Sequence, residues 1–315
     1  MDLLDVVLDY DCNLGCTYCT ITDAMRRRSL SAKAVARHID AAAAAGCTAL
    51  SLTGGEPTIR PDLLGLVRHA HRRGFSDIKV QTNGLLFATA ENVEKALDAG
   101  VTSIGVSVHG HDGQGPAAYE AIVRAPKALP DGAHPLMLRA LDNLVAAEVA
   151  GRLSLTCDLI LMASTVQGVL AGLKDLQSRG VRRFNLWLVS LTDRNAAYPE
   201  SLPRITEAAG VARACFDHAR ACAQAGGDRL DVASLHIPRC LLPGYEDHVR
   251  HPGEGLDVQV VTPDASFQLS ESRLTGGVKP PTCSGCVWFD RCSGLREDYV
   301  AQFGAGELPT AVAAK

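Results

Sequence analysis

The sequence predicts an α/β protein in which a parallel sheet, curled into a closed or partial barrel, is covered by helices. Three observations lead there. Short apolar runs of strand character alternate six times with stretches of helical periodicity, most connections between them are short, and a glycine or a capping residue marks most helix ends. Strands joined through helices run parallel. A succession of right-handed crossovers then curls the sheet.

The elements follow in order. Residues 3–9 form the first strand, with Val6, Val7 and Leu8 apolar. Ser31 caps a helix over 32–45 that Gly46 ends. A second strand covers 48–53, and a helix covers 61–73 with Pro61 in its first turn. Strand 77–82 and helix 90–99 follow, the latter closed by Gly100. Strand 102–108 leads into a long loop reaching about Pro135, then a helix over 136–149. Strand 153–161, helix 167–179, strand 183–189 and helix 206–225 complete six units, the last closed by Gly226 and Gly227.

After Gly227 the pattern changes. Strands at 230–236, 257–261 and 266–269 are separated by Pro- and Gly-rich segments, and a cysteine cluster follows. The expected division is a partial (β/α)6 TIM-like barrel over 1–226 and a small C-terminal extension over 227–315. In such sheets chemistry lies at the C-terminal ends of the strands.

Composition narrows the function classes. Of 315 residues, 47% are apolar and 21% charged, enough to bury a core of ordinary size. A net charge of −4 leaves no electrostatic footprint for a nucleic acid, and the Arg26-Arg27-Arg28 run reads as a solvated face. No stretch approaches the roughly 18 apolar residues of a membrane span, and the N-terminus lacks the basic and apolar regions of a signal peptide. A cytoplasmic protein is expected. Its eleven cysteines are then metal ligands or free thiols rather than disulfides.

Cys12, Cys16 and Cys19 follow the first strand in C-x3-C-x2-C spacing, with Tyr18 just before the last. Three thiolates on one tight loop suit three corners of a 4Fe–4S cube, leaving the fourth iron open to a small chelating molecule. A zinc site would want a fourth ligand that this loop lacks.

The loop resembles the signature of the radical S-adenosylmethionine (radical SAM) superfamily. Thr53-Gly54-Gly55-Glu56-Pro57 after the second strand is similar to that family's Gly-Gly-Glu motif, and Gln81-Thr82-Asn83-Gly84 and Ser107-Val108-His109-Gly110 follow the third and fourth strands as comparable turns. The likeness covers roughly residues 3–225. It implies a partial six-unit barrel, a 4Fe–4S cluster on Cys12, Cys16 and Cys19, and reductive cleavage of S-adenosylmethionine to a 5′-deoxyadenosyl radical that abstracts a substrate hydrogen. It further implies that Gly54, Gly55 and Glu56 receive the amino group of the methionine moiety, with Asn83 in the neighbouring turn. Ser107 would lie near the ribose or carboxylate, Arg124 would pair with the carboxylate, and Tyr18 would lie beside the adenine. An external reductase such as flavodoxin or ferredoxin would supply electrons.

His109 departs from the family pattern, which usually has aspartate there. With His111 and Asp112 it is expected to contact substrate or move a proton, the alternative being a loop cap.

A second cluster, Cys283, Cys286 and Cys292 in C-x2-C-x5-C spacing, lies near the C-terminus, with Cys240 upstream. Four thiolates saturate a second, auxiliary 4Fe–4S cluster. The spacing resembles part of the SPASM/twitch-type extensions of the same superfamily, but position 296 is Arg. A zinc knuckle, or a cluster on three cysteines open to substrate, remain alternatives. Cys47, Cys157, Cys215 and Cys222 read as free core thiols. The expected activity is a net oxidation of a small molecule or peptide. A radical methyl- or group-transferase is the first alternative, and a non-catalytic iron–sulfur, zinc-binding or electron-carrier protein the second.

Overall fold

The computed structural model describes residues 1–126, 129, 131–251, 254–272 and 277–309. Six parallel strands form its centre: β1 (Leu3–Val7), β2 (Ala49–Thr53), β3 (Asp77–Thr82), β4 (Ser103–Val108), β5 (Ser154–Leu161) and β6 (Arg183–Leu188), each paired with its predecessor. Helices α1 (Ala32–Ala44), α2 (Leu63–Arg72) and α3 (Ala90–Ala99) connect the first four strands. The order is the one expected from the sequence, down to the Ser31 cap, whose side chain accepts from the Ala34 amide at 3.2 Å.

The loop expected between β4 and residue 135 contains a further helix, α4 (Pro116–Val123), before α5 (His134–Val149). Gly110, Gly113 and Gly115 disguise it, yet Pro116 takes the first-turn position it favours. Residues 127, 128 and 130 of that stretch lie outside the described residues. Helix α6 (Val169–Ser178) follows β5, and α7 (Ile205–Gln224) follows β6.

The C-terminal segment does not stand apart from the barrel sheet. Strands β7 (Asp231–Leu235) and β8 (Val249–Arg250) extend it beyond β6, whereas β9 (Val258–Val261) pairs with β1 and β10 (Ser266–Gln268) pairs antiparallel with β9. The result is one ten-stranded sheet in the order β10-β9-β1-β2-β3-β4-β5-β6-β7-β8. A last helix, α8 (Glu297–Phe303), was not expected; its Tyr299 is buried and donates to Glu307 at 2.6 Å. Arg296 donates to the Leu188 and Val189 carbonyls at 2.9 and 2.6 Å and so ties this end of the chain to the top of β6.

Side-chain alternation sets up the interior. Leu4, Val6, Leu50, Leu52, Ile78, Val80, Ile104 and Val106 are buried beneath the helices, together with Leu155 and Leu159. The intervening positions face the barrel lumen and are mostly polar: Asp5, Ser51, Thr53, Lys79, Gln81, Ser107 and Asp158. The lumen is therefore a polar chamber rather than a packed core. Among the described residues, no helix is long and apolar enough to cross a membrane. Cys47, Cys157 and Cys215 are buried as core thiols, and Cys222 is half-buried, 3.4 Å from the Gln177 amide.

Candidate functional site

The parallel β1–β2 pairing continues past both strand ends and shapes the first cysteine loop. Leu8 N donates to Thr53 O at 2.8 Å, Gly55 N to Asp9 O at 2.9 Å and Glu56 N to Asp11 O at 2.7 Å. This approach is why residues 54 and 55 are glycines. A Cβ on Gly55 would stand 1.9 Å from Asp11 O, and one on Gly54, at φ +145°, 2.4 Å from Asp9 O.

The loop is braced from three other sides. Arg26 donates to the Cys12 and Leu14 carbonyls, both at 3.0 Å, and Arg194 to the Cys16 carbonyl at 3.2 Å. Amides of Gly15 and Thr17 donate to Val123 and Ile122 at the end of α4, at 3.0 and 2.9 Å. The helix hidden in the long loop thus supports the cysteines, and Arg26 is a brace rather than a solvated residue.

Cys12, Cys16 and Cys19 line one cavity of about 320 Å³ at the C-terminal mouth of the barrel, with Gly54, Gly55, Asn83, Ser107 and His109 around it. Burial pushes the Cys12 thiol up to about 11 and the Cys16 thiol to about 12, so coordination must displace their protons. Among the described residues, no three His, Cys, Asp or Glu side chains converge closely enough to hold a single metal ion. Three thiols from one loop on one cavity are a donor set that a 4Fe–4S cube can use.

The other expected residues divide. Tyr18 lines the cavity, and its hydroxyl is bonded to His109 Nδ1. His109 is 6% exposed, and burial pushes its imidazole down to about 4, so it is neutral near pH 7. Ser107 accepts from Gln81 Nε2 at 3.1 Å, which leaves its own proton free to donate. Asn83 donates to Asn13 at 2.7 Å beside the cysteines.

Glu56 is fully buried and does not line the cavity. Its carboxylate accepts from Thr82 Oγ1 and Asn83 N, both at 2.7 Å, and from Thr58 N at 3.0 Å, pinning the turn after β3. His111 is turned away from the mouth, 3.1 Å from His134 and 3.0 Å from Asp175. Asp112 caps its own loop through the Gln114 amide at 2.9 Å. Arg124 has left-handed backbone (φ 46°) after α4, and its side chain is exposed outside the cavity.

The second cysteine set also converges. Cys240 lies on the turn after β7, and Cys283, Cys286 and Cys292 on successive turns, around one small cavity shared with Trp288 and Phe289. Burial pushes Cys240 up to about 12, with the three neighbouring thiols adding to it. Buried Arg239 joins these turns to the sheet, donating to Arg291 O at 3.1 Å, Val249 O at 3.1 Å and Glu254 at 2.6 Å.

Comparison with known proteins then decides the family. Residues 7–162 match the model described as the Radical SAM superfamily. The chain belongs to the radical SAM superfamily. Among curated radical SAM relatives, it is 35% identical over 108 residues to a probable GTP 3′,8-cyclase of Metallosphaera sedula, covering 34% of this chain and 33% of that protein. It is 31% identical over 159 residues to a probable GTP 3′,8-cyclase of Sulfurisphaera tokodaii, covering 45% and 50%. The matches thus span between a third and a half of those relatives. Streptococcus suis SuiB bound to S-adenosylmethionine shares the fold at a TM-score of 0.67 and 13% identity, over 99% of this chain and 76% of SuiB.

Sequence reasoning missed the luminal set of Lys79, Asp158, Gln81 and Trp187, and the braces Arg26 and Arg194. The signal for the first set was present: single polar residues at alternate positions of otherwise apolar strands.

Proposed function

We propose that Cys12, Cys16 and Cys19 hold a 4Fe–4S cluster whose open iron takes S-adenosylmethionine, and that the protein abstracts a hydrogen from a substrate in the lumen below. The observation that carries this reading is the convergence of three cysteines from one braced loop on the mouth of a polar barrel. Cluster and S-adenosylmethionine, when bound, supply reductive carbon–sulfur cleavage and the 5′-deoxyadenosyl radical.

The chain's own residues bind, orient and exclude water. Gly54 and Gly55 bring unshielded backbone to the cavity wall for the amino group, while Glu56 acts one step behind by fixing the Thr82–Asn83 turn. Ser107 donates its hydroxyl proton to a carboxylate or ribose oxygen. Neutral His109, aligned by Tyr18, borders the substrate side and can accept a proton without first losing one. Ile160, Trp187, Leu188 and Val189 form an apolar wall that keeps water from the radical.

Cys240, Cys283, Cys286 and Cys292 would hold a second 4Fe–4S cluster, which would supply an acceptor for the electron a substrate radical gives up on oxidation. Its support is the gathering of four thiols around one cavity. A reductase such as flavodoxin or ferredoxin would supply the electron for the first cluster. The relatives' GTP chemistry is not carried over, because the matches cover too little of those proteins. Anaerobic reconstitution followed by iron and sulfide counts tests the cluster assignment: eight irons per chain are expected for two cubes, and mononuclear zinc at either site contradicts it.

A further inference from the structure

Below the cysteine mouth the lumen continues into a second cavity of about 300 Å³, lined by Asp5, Ser51, Lys79, Asp158 and Trp187. The two cavities share Thr53, Gln81, Ser107, Ile160 and Trp187, so one chamber runs from the cysteines to the middle of the strands. Register places Asp5, Ser51 and Lys79 on one level, with Asp158, opposite Ser107, two inward-facing positions further along its strand. Only β2 separates the strands bearing Asp5 and Lys79, so their backbones stand roughly 10 Å apart and both side chains reach inward.

The charged groups of this floor are only partly satisfied, Asp5 having Ser51 beside it as its hydrogen-bond partner. Oδ1 of Asp5 is buried with no hydrogen bond, and the Trp187 indole N–H faces the Asp158 carboxylate. The Lys79 ammonium makes no hydrogen bond or ion pair among the described residues. Asp158, 5% exposed, is held by amides of Gln81 at 2.9 Å and Asn185 at 2.8 Å, and its carboxylate retains lone pairs. Burial pushes both carboxyls up, and the nearby Lys79 charge pulls them back. Partly satisfied groups of both signs facing one cavity are costly when empty and favourable when a complementary ligand fills the space.

We propose that this floor binds the head of a small zwitterion, namely a free amino acid, with its carboxylate on Lys79 and its ammonium on Asp5 and Asp158. This inference rests on the radical SAM reading and names its substrate class. The head sits low in the chamber, so the rest of the molecule points upward past Trp187 and Ile160 toward the cysteine mouth. A residue inside a peptide has neither charge, because both groups are amides, so the floor selects the free molecule.

Thermal unfolding of the anaerobically reconstituted protein tests this, using the proteinogenic L-amino acids, each beside its N-acetyl and carboxamide derivatives, with and without S-adenosylmethionine. At least one free amino acid is expected to raise Tm by about 5 °C at a hundredfold excess over Kd, with neither derivative doing so. Lys79→Met and Asp5→Asn should each remove the shift. No shift from any free amino acid, equal shifts from the derivatives, or a shift that survives both substitutions would overturn the proposal. The derivative comparison needs only the unaltered chain, so a variant that fails to fold does not rescue it. A protein that discriminates free amino acids yet ignores S-adenosylmethionine would lose the radical SAM reading alone.

Discussion

The two cysteine sites are built in opposite ways. The N-terminal loop is anchored before any cluster arrives: strand pairing runs into it, two guanidinium groups hold its carbonyls, and α4 supports its outer side. The C-terminal cysteines sit on short turns, where local bonds such as Cys286 N to Cys283 O at 3.0 Å and Phe289 N to Cys286 O at 2.9 Å dominate. Val287 and Phe289 beside them are 45% and 42% exposed. The difference teaches that the first loop is shaped by the protein itself, whereas the turns of the second would take their shape from what the proposed reading has them bind.

Ways to break this comparison start with the glycine that lets the two strand ends meet. Gly55→Ala places a methyl against Asp11 O and should cost more than about 3 kcal/mol. Urea denaturation should show the loss together with failure to load the first cluster, and near-normal loading would mean the loop is not preformed. Next, Cys283→Ala combined with Cys286→Ala should lower bound iron by about half while 5′-deoxyadenosine formation persists. Limited proteolysis should then cut within 277–309, and an uncut, fully stable tail would contradict a cluster-shaped site.

Arg26→Gln sharpens the contrast on the preformed side. Losing two charge-assisted bonds to loop carbonyls should cost about 1–3 kcal/mol. Faster loss of the visible iron–sulfur absorption in air would report it, with Arg26→Lys partly restoring resistance.

The smallest effect concerns acid. Burial lowers His109 and His236 to about 4 from the unfolded value of 6.5. The unfolded chain therefore takes up protons first as pH falls, so the stabilisation is complete above pH 6.5 and is lost progressively toward pH 4, by up to about 3 kcal/mol for each. Chemical denaturation of cluster-free protein at pH 7 and pH 5 should show the fall, and His109→Gln should lessen it while the His236 share remains.

Much of this architecture was legible in the sequence because local signals agreed with the global fold. Residues 77–82 and 90–99 have the bounds read from alternation and the Gly100 stop. The cysteines declared themselves by spacing. Helix α4 escaped because the glycines around it imitate a loop. The pairing of β9 with β1 escaped because sequence order carries no trace of a contact some 250 residues apart. His109 and His111 looked equivalent, yet the chain turn at Gly110 (φ 68°) sends one into the cavity and the other to Asp175. Lys79 and Asp158 went unnoticed because a lone polar residue in an apolar strand reads as a solvent-facing position, whereas here the inward face is the polar one.

The most direct measurement is 5′-deoxyadenosine produced from S-adenosylmethionine after anaerobic reduction with dithionite. The reconstituted protein should form it, and the chain with Cys12, Cys16 and Cys19 all changed to alanine should form none while still folding. Equal yields from the two proteins would contradict the assignment of the first cysteine loop.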